Sequence, residues 1–185
     1  MAAVAAQGKR KVTLAVSERF RGGAGDTLEI QTEFGTEACG YPFEVGHDYL
    51  VFANRRDGIV TVTTCSATQP AKKAMAKILL LRARRDGATL PDLFGSVVTH
   101  PTKWDFEGWE QIQPVPHLAV TARSNKAEYR TQTDSNGLYS FHDLPRDQYR
   151  LTVAAPAGRR ALWGGSAQEV AASQGAGCPT DFEIF

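Results

Sequence analysis

Four histidines and three cysteines head the groups in this chain that could do chemistry. His47, His100, His117 and His142 are scattered, and no two have the spacing of a zinc-binding helix or knuckle. A zinc site needs three or four ligands, so surface or loop histidines are expected instead. Asp134-Ser-Asn-Gly137 resembles half of a calcium loop, but the closing bidentate glutamate is absent. It reads as a turn in which Asp and Asn bond their own backbone. Ser166, in Gly164-Gly-Ser-Ala-Gln168, misses the second glycine of a nucleophile elbow. Cys39 and Cys65 have no histidine at a recognised spacing, so each reads as a structural thiol or half of a disulfide. Glu107 and Glu110 lie close in sequence, but nothing fixes the separation that a glycosidase pair requires. Gly22-Gly-Ala-Gly25 lacks the Lys-Ser/Thr that completes a phosphate loop. No catalytic residue, metal site or cofactor is therefore expected.

One segment stands out for binding. Trp104, Phe106 and Trp109 are interleaved with Asp105 and Glu107 between Lys103 and Gln113. Aromatics on an exposed loop stack on sugar rings or anchor a protein partner. The plainer reading has them capping a β-sandwich or filling an interdomain seam, as large aromatics are usually buried.

Most of the elements that would position these groups are strands. Val12, Leu14 and Val16 alternate with Thr13, Ala15 and Ser17, and the same period resumes at Leu28, Ile30 and Thr32 after a glycine-rich turn. Tyr49 to Ala53 is a short apolar run, and Ile59 to Thr64 is β-branched at nearly every position. Helical spacing occurs once: Ala71, Ala74, Met75, Ile78, Leu79 and Leu81 follow Pro70, with Lys72, Lys73 and Lys77 between them. Arg85 to Pro91 is polar and turn-rich, which predicts a domain boundary there. Beyond it, Gly95–Val98, Leu118–Ala122, Tyr129–Thr133, Tyr139–Phe141 and Tyr149–Val153 give strands about ten residues apart, the pattern of a sandwich.

Composition excludes several classes. The 185 residues carry 21 Lys and Arg against 20 Asp and Glu. That balance argues against a nucleic-acid binder, whose affinity comes from neutralised phosphates. No run approaches the length of about 20 apolar residues that a membrane-spanning helix needs. Met1–Gln7 does not read as an intact secretory signal. Cys39, Cys65 and Cys178 allow one disulfide plus one thiol, or three reduced thiols.

Two stretches resemble known families. The strand Val12–Val16, the phrase Cys39-Gly-Tyr-Pro-Phe-Glu-Val-Gly-His-Asp-Tyr-Leu-Val-Phe-Ala53, the later Cys65 and the following helix resemble the netrin-like, OB-fold module of the tissue inhibitors of metalloproteinases, particularly bacterial relatives. Thr133-Asp-Ser-Asn-Gly-Leu-Tyr-Ser-Phe141, then Leu144-Pro145 and Tyr149-Arg-Leu-Thr-Val153, resemble the carboxypeptidase regulatory-like, transthyretin-type sandwich, with Cys178-Pro-Thr-Asp-Phe182 as its last strand.

The inhibitors chelate a protease's zinc through an N-terminal Cys-x-Cys, which has no counterpart in this chain. Protease inhibition, a third reading, rests on that resemblance alone, and the missing Cys-x-Cys weighs heavily against it. In that family the cysteines matching Cys39 and Cys65 pair with the N-terminal ones. Here they are expected either to bond to each other or to belong to an N-terminally truncated secreted protein, and the latter is favoured.

The expected chain is mostly β: a residual segment 1–10, an OB-fold-like barrel with one helix over 11–85, a linker 86–92 and a small sandwich over 93–185. Its expected role is non-catalytic, presenting a surface to a protein partner outside the cell or in the envelope. Carbohydrate binding through the sandwich is the alternative.

Overall fold

Strict alternation pairs the first two strands. The computed structural model describes residues 8–23, 25–34, 39–99, 112–159, 167–172 and 179–184. In it β1 (Lys9–Ala15) runs antiparallel to β2 (Thr27–Glu33), in unbroken register from Lys9↔Glu33 to Ala15↔Thr27. Lys9 and Arg10 are part of the strand and not of a residual tail, because the Phe34 amide already donates to the Gly8 carbonyl at 2.9 Å. The chain is mostly β, with a single helix among the described residues.

The chain divides into two compact units, residues 1–71 and 72–185. The first holds β1, β2, β3 (Tyr49–Leu50), β4 (Asn54–Arg56), β5 (Ile59–Thr61) and β6 (Gln69–Pro70). Four of these form one sheet in the order β1-β2-β5-β4, with β2 and β5 parallel, while β3 and β6 make a separate antiparallel ladder. Among the described residues β1 and β4 are thus the open edges of that sheet. Ile30, Tyr41, Phe43, Leu50, Val60 and Val62 are buried. The Tyr41, Phe43 and Tyr49 rings pack edge-on or tilted, with centroids 4.6 to 6.0 Å apart. Thr32 secures this cluster to β2 by accepting the Tyr41 amide at 2.7 Å.

The second unit is a sandwich with a helix on its outside. α1 (Met75–Asp86) precedes β7 (Leu93–Thr99), β8 (Ala119–Arg123), β9 (Glu128–Gln132), β10 (Leu138–Phe141), β11 (Gln148–Val153), β12 (Ala167–Ala171) and β13 (Phe182–Ile184). One sheet runs β10-β7-β13 and the other β12-β11-β8-β9. Leu93, Val97, Tyr139, Phe141 and Phe182 of the first meet Val120, Ala122, Tyr149, Leu151 and Val153 of the second in one core.

The other face of β7 is covered as well. Ala76 and Leu80 of α1 pack against Phe94, with Leu90 and Leu138 beside them. Burial on both faces explains why Leu93-Phe-Gly-Ser-Val-Val98 does not alternate.

The helix therefore belongs with the sandwich, and the division falls before it and not at the polar stretch 86–92. Pro70 lies in β6, a four-residue turn intervenes, and the helix starts at Met75, later than the spacing suggested. It stops at Gly87, whose φ of 69° suits glycine, and the Gly87 and Ala88 amides both donate to the Ala83 carbonyl.

Candidate binding surfaces

Among the described residues, the histidines singled out for chemistry are divided between the two units. His47 sits 3.6 Å from Glu44, while His117 and His142 are exposed in the other unit. Among the described residues no group of three or more His, Cys, Asp or Glu side chains is placed to hold a metal. Asp134 is spent on its own turn: its Oδ1 accepts the amides of Asn136 at 2.8 Å and Leu138 at 2.9 Å. The glycine-rich loop after β1 is closed by Arg19, whose guanidinium donates to the Gly25 and Thr27 carbonyls.

Cys39 and Cys65 are both free and exposed, so the bond between them is not made in this structure. Their segments are neighbours: Gly40 bridges Thr63, and the Thr64 amide donates to the Cys39 carbonyl at 3.0 Å. Exposed thiols react with alkylating reagents in the folded protein. Iodoacetamide without denaturant is expected to add to both, read by peptide mass. Protection of either one would show that its sulfur is bonded or buried in solution.

Trp104, Phe106 and Trp109 lie outside the described residues, as do His100, Glu107, Glu110, Ser166 and Cys178. The residues flanking the aromatic segment are tied together. Thr99 donates its amide to the Gln113 carbonyl at 2.8 Å, and Gln113 returns its amide to Thr99 Oγ1 at 2.9 Å.

Two largely buried polar arrangements hold the sandwich together. Asp181 accepts both the Ser96 amide, at 2.9 Å, and the Ser96 hydroxyl, at 2.7 Å. Burial raises the Asp181 carboxyl above its ordinary value of 3.8; the Ser96 bonds and Lys77 oppose the rise, and Glu183 adds to it. Beside it the Tyr139 hydroxyl donates to the Thr180 carbonyl at 2.6 Å, and burial holds that phenol well above 10.0.

The sign for stability follows. Below 3.8 the carboxyl is protonated in both folded and unfolded chains and contributes no difference. As pH rises through 3.8 the unfolded chain ionises first, so this group weakens the fold up to its own raised value and by a constant amount above it. Asp181→Asn is expected to gain stability relative to the parent as pH rises from below 3.8 to neutrality. Urea midpoints across that range would measure it, and a constant gap would refute it.

The sequence did not single out two exposed apolar side chains of the first unit. Phe34 is 66% exposed at the end of the β1–β2 hairpin, and Val45 is 97% exposed. Arg10, two residues from Gly8, donates to the Phe43 carbonyl at 3.1 Å, which sets the stretch leading to Val45 beside β1. The available signal was the lysine at alternate positions, Lys9 and Lys11, a common mark of an edge strand.

Compared with family models, with curated proteins and with solved structures, the chain finds no match.

Proposed function

We propose that this chain is a non-catalytic binding or scaffolding protein of the cell exterior or envelope, and that its first unit presents the binding surface to a protein partner. The observation that carries the reading is the β1 edge, to which no further strand pairs among the described residues, with Phe34, 66% exposed, at its end. A long open edge is a template for pairing with another chain, and a large exposed aromatic beside it supplies a buried anchor once paired. The exterior or envelope setting rests on the resemblance to secreted modules.

A photo-cross-linking residue in place of Phe34, expressed in the native host, tests the reading. It is expected to trap one protein identifiable by mass spectrometry, while the same residue at exposed Arg146 of the other unit traps none. Equal or absent capture at both positions overturns it.

Carbohydrate binding is the second reading. Its support is that Thr99 and Gln113 bring together the ends of the segment carrying Trp104, Phe106 and Trp109. A glycan-array hit that also changes tryptophan fluorescence would favour it; silence in both would remove it.

A further inference from the structure

Resting on the protein-binding reading above, we propose that β1 takes up an extended, carboxylate-bearing segment of its partner as an added outer strand. The register fixes which backbone groups are on offer. The Phe34 amide donates to Gly8, and the Val16 amide donates to Asp26 at 2.8 Å. Within an antiparallel pair, hydrogen-bonded positions recur every second residue. Arg10, Val12 and Leu14, opposite Thr32, Ile30 and Leu28, therefore turn their amides and carbonyls toward β2. Lys9, Lys11, Thr13 and Ala15 turn theirs the other way, where no strand continues the sheet among the described residues.

This edge is built to pair. It is seven residues long, with no proline, glycine or break in register. The opposite edge, β4, is only three residues long.

Charge selects the occupant. Lys9 stands opposite Glu33, and Lys11 reaches Glu29 at 3.2 Å, so on the exposed face β1 is positive and β2 negative. A third strand with carboxylates opposite Lys9 and Lys11 continues that alternation. On the other face the half-buried Val12 and Leu14 offer an apolar strip suited to β-branched residues. A second copy fits less well. Two β1 strands side by side would line Lys9, Arg10 and Lys11 of both copies along one seam with no carboxylate between them, the usual device against self-pairing.

The test uses the full chain and a labelled peptide as long as β1, alternating valine and glutamate. Saturable binding by fluorescence anisotropy is expected, with slowed amide exchange at Lys9, Lys11, Thr13 and Ala15. A peptide with lysine for glutamate should bind at least about tenfold more weakly, the effect of roughly one good interaction. Thr13→Pro removes an outward amide and spares the β2 ladder, so it should abolish binding with the circular dichroism unchanged. Should that variant unfold, Lys9→Glu with Lys11→Glu serves instead, and is expected to reverse the preference toward the lysine peptide.

Equal binding of both peptides, protection elsewhere, or the same amides slowed by self-association alone would each overturn the proposal. Capture of a partner through position 34 together with no peptide binding would sink strand addition only. Failure of both experiments would sink the protein-binding reading as well.

Discussion

Gly95→Ala is expected to destabilise the sandwich by about 3 kcal/mol or more, the upper range for forcing atoms into a filled interior. A methyl on Gly95 would sit 1.7 Å from the Thr180 carbonyl oxygen and 2.6 Å from its carbon, with the Tyr139 hydroxyl at 2.8 Å. These are mostly backbone atoms that cannot swing aside. Thr180 is itself held by its amide to the Phe94 carbonyl at 2.8 Å and by the Tyr139 hydroxyl. Accommodating the methyl means lifting the segment that leads into β13 away from β7. Chemical denaturation would show the loss, and exchange of the Ser96 amide, which donates to Asp181 at 2.9 Å, should accelerate with it. Gly158→Ala is the control: φ there is 78°, yet nothing lies within 4 Å, so only the backbone preference is felt. Equal losses at both glycines would mean that crowding at Gly95 is not the cause.

Thr133→Val comes next in size, at roughly 2–4 kcal/mol, because it strands two buried backbone groups at about 1–3 kcal/mol each. Thr133 is 2% exposed. Its hydroxyl donates to the Val115 carbonyl at 2.6 Å and accepts the Leu118 amide at 2.8 Å. Valine matches its shape and leaves both unsatisfied. Thr133→Ser keeps both bonds and loses one methyl, so it should recover most of the stability in the same urea titration. If valine proves harmless while serine is damaging, the packing of the methyl matters and the hydroxyl does not.

Much of this was legible where one element decides its own form. Period-two alternation marked β1, β2 and most of the sandwich strands, and the Asp134 turn followed from the habits of aspartate and glycine. The errors arose where a distant partner decides. Gly95 to Val98 was legible only as a short strand, and only the packing of Ala76 and Leu80 on Phe94 shows that the strand starts earlier, is covered on both faces and carries the helix with the sandwich. Tyr49 to Ala53 looked like one strand; the pairing stops at Leu50, and Thr68 holds Phe52 through its amide at 2.9 Å. Gln69–Pro70 gave no strand signal at all and is extended only because Tyr49 and Leu50 lie beside it. The β1 edge needed more than composition, since its offer of hydrogen bonds depends on which parity faces β2.

The parallel pairing of β13 with β7 has a consequence for how the molecule is made. Phe182, Glu183 and Ile184 lie beside Val97, Val98 and Thr99, so the middle strand of that sheet finds one of its neighbours only after nearly all of the second unit has been synthesised. Contacts so remote in sequence slow folding, because the intervening chain must be ordered before they form. At ordinary elongation rates of roughly 5–20 residues per second, the apolar Leu93-Phe-Gly-Ser-Val-Val98 strand stays half-paired for several seconds on the ribosome. In that interval α1, made just before β7, is the element at hand to cover one of its faces, shielding nascent β7 until β13 emerges.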